Sequence, residues 1–69
     1  VWAYSRTVVR RRVLVHLLGG RTLDGVLWRS QGPLLVLRDT KLIEAGRIVP
    51  VDGEVIVERS RIEFIQALP

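Results

Sequence analysis

Two short alternating runs flank a glycine pair in Val13-Leu-Val-His-Leu-Leu-Gly-Gly-Arg-Thr-Leu-Asp-Gly-Val-Leu-Trp28. Val13, Val15 and Leu17 lie on one side of a period-2 strand, and Gly19-Gly20 supplies the permissive backbone of a hairpin. The return strand repeats the alternation through Leu23, Gly25 and Leu27. A glycine inside a strand marks a sharp bend or a close backbone approach. A strand that bends at its middle can serve both sides of a small barrel.

Further along, Leu34-Leu-Val-Leu37 is a continuous apolar run entered through Gln31-Gly-Pro33, which reads as a central strand. Ala45-Gly46 breaks the chain, and Pro50 and Asp52-Gly53 mark a turn or strand edge. Val55-Ile-Val57 and Ile62-Glu-Phe-Ile65 form the last two strands, joined by the short Glu58-Arg-Ser-Arg61. The expectation is an all-β chain of five strands, with one helical turn over residues 4–10 capped by Ser5. No linker or repeat divides the chain, so 1–69 reads as one domain, residues 1–10 an arm and 11–67 the barrel.

A chain of 69 residues buries a modest core. With no cysteine there is neither a disulfide nor a thiolate metal site, which leaves self-association or docking as the remaining means of support. No apolar run reaches the roughly 18 residues that cross a bilayer, and the first residues do not read as a signal peptide, so no membrane partner is expected.

The net charge of +4 is unevenly placed: residues 1–38 hold seven arginines and one aspartate, whereas residues 39–69 hold four basic and six acidic groups. Such asymmetry draws nucleic acid to one face, or joins the basic part of one copy to the acidic part of the next. Arg10-Arg11-Arg12 is a candidate phosphate contact, although three charges beside a strand more often form a solvated edge that discourages aggregation.

The order Val-Leu-Val-x-Leu-x-x-Gly-Arg-Thr-x-x-Gly-x-Leu, followed by Leu-Val-Leu-x-Asp at 35–39 and Val-Ile-Val-x-x-x-x-Ile-x-Phe-Ile at 55–65, resembles the two-part signature of the Sm-like (LSm) proteins over residues 12–66. The resemblance implies a strongly bent, five-stranded SH3-like barrel joined head to tail into rings through its fourth and fifth strands. Those edges would carry Val55, Val57, Ile62 and Phe64. Gly25 matches the family's bend glycine and Gly20 its hairpin glycine. RNA-binding members of the family hold a base with an Asp and an Asn before the third strand and an Arg-Gly pair between the fourth and fifth. Here Gln31 and Leu34 stand near the first two positions, and Glu58-Arg59 replaces the pair. Leu34 cannot hydrogen-bond a base edge and Glu58 repels phosphate, so the barrel and self-association carry over while the RNA site does not.

The run from Gly53 to Pro69, with Asp24-Gly-Val-Leu-Trp28 and Gly32-Pro-Leu-Leu-Val-Leu37, also resembles short Sm-like proteins of actinobacterial tailed phages. Ten arginines against one lysine agree with such a GC-rich genome. That resemblance implies a virion or host-cytoplasmic setting with phage structural proteins as partners; without it, a cytoplasmic one is expected.

Leu14, Leu18, Val26, Trp28, Leu34 and Val36 fall out of phase with the inner stripe and are still apolar. One barrel has one inside, so these positions are expected to form an exposed patch that a neighbour covers. Phe64 belongs to the core stripe, whereas Trp28 points outward, either anchoring a partner or closing the barrel end. His16 projects to the outer face and has no second histidine or nearby carboxylate, so it is read as a surface or interface residue rather than a ligand. No metal, cofactor or catalytic residue is assigned, since the acidic residues occur singly, without the spacing of an acid–base pair.

Two readings remain. The favoured one is a non-enzymatic, oligomer-forming Sm-like module that docks on protein neighbours through its edges, its outer apolar face and Trp28. The alternative is a ring that binds single-stranded RNA, with Arg29, Gln31, Arg59 and Arg61 near the lumen and Arg10, Arg11 and Arg12 assisting.

Overall fold

A computed structural model describes residues 10–69, which form one antiparallel sheet of six strands without an α-helix. The expected helical turn and nearly all of the arm lie outside these residues. The strands are β1 (Arg12–Leu17), β2 (Thr22–Gln31), β3 (Leu34–Glu44), β4 (Arg47–Val51), β5 (Val55–Glu58) and β6 (Ile62–Ala67), with a 3-10 turn at Arg59–Arg61 before β6. They run in the order β4-β3-β2-β1-β6, and β5 pairs β3 beyond β4.

The β1–β2 hairpin forms where the glycine pair indicates. The Leu17 N–H donates to the Arg21 carbonyl at 2.9 Å and the Gly20 N–H to the Leu17 carbonyl at 3.1 Å. Gly20 lies at a φ of 92°, a conformation that side chains disfavour. The inner stripe is Val13 and Val15 from β1 and Leu23 and Leu27 from β2. Leu35, Leu37 and Val57 complete it, and Leu17, Leu42, Val55, Ile62 and Ile65 pack against it.

Three bulges bend the sheet. Between Asp24 and Val26 the β3 partner advances from Lys41 to Arg38, so β3 carries an extra residue opposite Gly25. Asp39 there adopts a φ of 51°. Between Leu27 and Arg29 the extra residue is Trp28, on β2. Between His16 and Leu17 it is Glu63, on β6.

Six strands stand where five were expected. β3 runs on through the polar Arg38–Lys41 stretch to Glu44, and Arg47–Val51 pairs with that second half. The polar stretch hides strand character because it spans a bulge, and Pro50 reads as a turn residue. Proline is tolerated here because β4 is paired on one side only. β4 and β5 both pair β3, broken at Asp52–Glu54.

The outer apolar patch is smaller than expected. Val36 is 6% exposed and Val57 is also buried, because β3 is a central strand flanked by β2 and β5. Leu14, Val26, Trp28, Val55 and Ile62 are half-buried, while Leu18 and Leu34 are exposed. Phe64 leaves the core stripe. The Glu63 bulge shifts the phase of β6, so that Ile62 and Ile65 face the core and Phe64, opposite His16, is 49% exposed.

Candidate functional site

Two turns meet at one end of the sheet. The ladder places Gln31 opposite Leu34 and Leu34 opposite Glu58. One residue on, the Arg59 N–H donates to the Pro33 carbonyl at 2.7 Å. This bond ties the β2–β3 turn to the 3-10 turn. Gln31, Glu58, Arg59, Ser60 and Arg61 are therefore presented together, all exposed, with Arg29 two residues back along β2. The grouping matches the lumen set expected of the RNA-binding alternative, with the Glu58 carboxylate inside it.

The Arg10–Arg12 triplet lies elsewhere and is engaged within the chain. The Arg12 guanidinium donates to Asp24 at 2.8 Å and also to Asp39. The hydrogen bond to Asp24 leads the causes that raise the Arg12 pKa above its ordinary value, and Asp39 adds to it. Arg11 donates to the Leu68 carbonyl at 3.1 Å. Arg10 stacks over the Trp28 ring at 3.8 Å from its centroid and donates from Nε to the Trp28 carbonyl at 3.2 Å. Arg38 covers the same ring at 4.1 Å and donates to Glu54 at 2.8 Å. Trp28 is thus bracketed by two guanidiniums from its own chain. Sequence periodicity places the indole outside but gives no sign of its partners, because they come from a preceding segment and a neighbouring strand.

His16 stacks on Phe64, with ring centroids 4.2 Å apart and an 18° angle between planes. Thr22 Oγ1 and Gln66 Oε1 each lie 3.4 Å from its ring nitrogens. Among the described residues no group of three His, Cys, Asp or Glu side chains is arranged to hold a metal ion.

The strand edges form the second candidate surface. Among the described residues β6 pairs only with β1, and β5 only with β3, so each leaves one edge open. Ile56 on β5 is 61% exposed. Beside β5 an open groove of about 580 Å³ is walled by Leu17, Leu23, Leu42, Val51 and Val55, with Arg21, Glu58 and Arg61 also lining it. Residues Val55, Val57, Ile62 and Phe64, expected at the pairing edges, fall on these two strands, but Val57 is in the core and Val55 and Ile62 pack against it, which leaves Phe64 exposed.

No protein-family model and no curated protein matches the chain. Solved structures do. A heptameric archaeal Sm protein aligns with a TM-score of 0.82 and 28% identity, over 99% of this chain and 100% of that one. The SmAP1 heptamer of P. aerophilum gives 0.81 and 27%, over 100% and 99%. The Sm protein of Pyrococcus abyssii in complex with a uridine heptamer gives 0.82 and 23%, over 91% and 90%. The chain has the Sm fold.

Proposed function

We propose that this chain is a Sm-like protein that assembles into a homo-oligomeric ring and binds single-stranded RNA where its two turns converge. The observation that carries the assembly is the pair of open edges, β5 with Ile56 and β6 with Phe64, on a chain that matches two heptameric Sm proteins over essentially its whole length. Adding the β6 of one copy to the β5 of the next satisfies both rows of unpaired backbone groups and removes exposed apolar surface. A head-to-tail contact of this kind closes into a ring when its rotation permits.

The RNA half of the proposal rests on the Arg59–Pro33 bond, which groups Arg59, Arg61, Gln31 and Arg29 at one end of the sheet. A ring repeats that cluster around its axis, so even a modest positive charge per copy becomes a sizeable field for a polyanion. The solved Sm protein in complex with a uridine heptamer supports the class of ligand. A non-enzymatic role agrees with both halves.

One observation favours docking on proteins instead. Leu34 and Glu58 face each other in the ladder at the turn site, and neither recognises a base or a phosphate. The virion setting and phage structural partners stand on the sequence resemblance alone.

Native mass spectrometry of protein purified at moderate salt without nuclease tests the proposal, with absorbance at 260 and 280 nm on the same sample. A ring carrying extra mass that nuclease removes is the expected result. A nucleic-acid-free ring that does not take up added oligoribonucleotide leaves only the assembly half standing, and a well-folded monomer at micromolar concentration overturns both.

A further inference from the structure

If the turn site binds RNA as proposed above, its composition decides how. A site discriminates between bases when polar groups that would be left buried and unpaired by the wrong base are fixed in it. The convergent turns offer no such group. Gln31 and Ser60 are exposed, so either can exchange a base contact for water at little cost. Leu34, at the start of β3, is apolar and faces the Glu58 backbone across the ladder. Neither turn contains an aromatic side chain.

What the site does hold is guanidinium. Arg29, Arg59 and Arg61 are all exposed there, and Glu58 offsets one of them. A guanidinium binds phosphate through its fork and stacks on any base through its plane, and neither contact depends on which base is present. The other basic residues of this half lie away from the site: Arg10 and Arg38 on Trp28, Arg12 on Asp24 and Asp39.

We infer that this chain grips single-stranded RNA through phosphate contacts and arginine stacking, without selecting the base. Selectivity is lost because the side chains at Gln31, Leu34 and Ser60 cannot penalise a wrong base, while the arginines contact what all nucleotides share.

The experiment measures affinities of the intact oligomer for oligouridine, oligocytidine and oligoadenosine of equal length, at several salt concentrations. The expected dissociation constants agree within about fivefold, and all weaken steeply with salt, by roughly 0.7 in log–log slope for each phosphate neutralised. Arg61→Ala, checked for an unchanged oligomer by native mass spectrometry, weakens all three in proportion and lowers that slope, whereas Gln31→Ala leaves their ranking unchanged. A preference beyond about fivefold for one base, which needs positional hydrogen bonding rather than phosphate contact, overturns this inference and leaves RNA binding standing. Failure of an intact ring to bind any of the three at low salt overturns the RNA reading itself.

Discussion

A β-carbon added at Gly25 would lie 2.7 Å from Thr40 Oγ1 and 3.2 Å from the Arg38 carbonyl oxygen, so β2 and β3 meet there more closely than any other residue allows. The approach coincides with the Asp39–Thr40 bulge. Gly25→Ala must push β3 away at the bend, and the expected loss is about 1–3 kcal/mol. Thermal or urea unfolding measures it. Full wild-type stability in Gly25→Ala would show that the bend yields freely.

At this approach Thr40 Oγ1 has no hydrogen-bond partner, although Thr40 is 2% exposed. A buried hydroxyl left unsatisfied costs about 1–3 kcal/mol, and valine has nearly the same shape. Thr40→Val is therefore expected to raise the melting temperature. A fall would mean that a water or a slight rotation satisfies the hydroxyl.

Trp28→Ala removes the ring between Arg10 and Arg38 and leaves two guanidiniums facing one another. Each cation–π contact at such a site contributes roughly 0.5–1 kcal/mol, to which the lost apolar burial adds. The expected loss is about 2–3 kcal/mol, with Trp28→Phe retaining a good part of it because the aromatic face remains. Docking on an external protein through Trp28 predicts the reverse pattern, unchanged stability with lost binding.

Phe64→Glu and Ile56→Glu place charge on β6 and β5, each of which has an open edge among the described residues, without entering the buried core. Each is expected to shift the oligomer toward monomer in sedimentation at micromolar concentration, with the strand signature of the circular dichroism spectrum kept. Retention of the ring by both variants would remove these edges from the assembly.

The Arg12 pairs have a smaller role. Both partners of the Arg12–Asp39 bridge are more than one-third exposed, whereas Asp24 is more sheltered. Exposed bridges contribute roughly 0–1 kcal/mol and are screened by salt, so Asp39→Asn is expected to be nearly neutral and Asp24→Asn mildly destabilising. Because the Arg12 pKa is raised, its stabilisation is present below the ordinary arginine range and is lost only as pH rises through the raised value. Denaturation midpoints of Asp24→Asn at low and high salt check this, and a salt-independent deficit would point to packing instead.

Much of the architecture was legible in local spacing. The Val13, Val15, Leu23 and Leu27 stripe, the hairpin at Gly20 and the close approach at Gly25 follow from period-2 alternation and from two glycines whose backbones need room or a positive φ, and the central position of β3 from the continuous apolar run Leu34–Leu37. The grouping of Gln31, Arg59 and Arg61 could be anticipated only through the family resemblance, since the backbone bond that joins their turns connects residues far apart in the chain.

Period-2 alternation holds only until a strand gains an extra residue. One such residue, Glu63, turned Phe64 from the core onto His16, and another, Trp28, put the indole within reach of Arg10 and Arg38. A bulge inverts the phase of everything beyond it, and whether one forms depends on the register of the partner strand. The sequence by itself therefore determined the core stripe of the β1–β2 hairpin and where the chain reverses, through contacts between near neighbours. Tertiary structure alone decided which outer residues meet, where the arginines are engaged and which edges stay open, because those depend on long-range pairing.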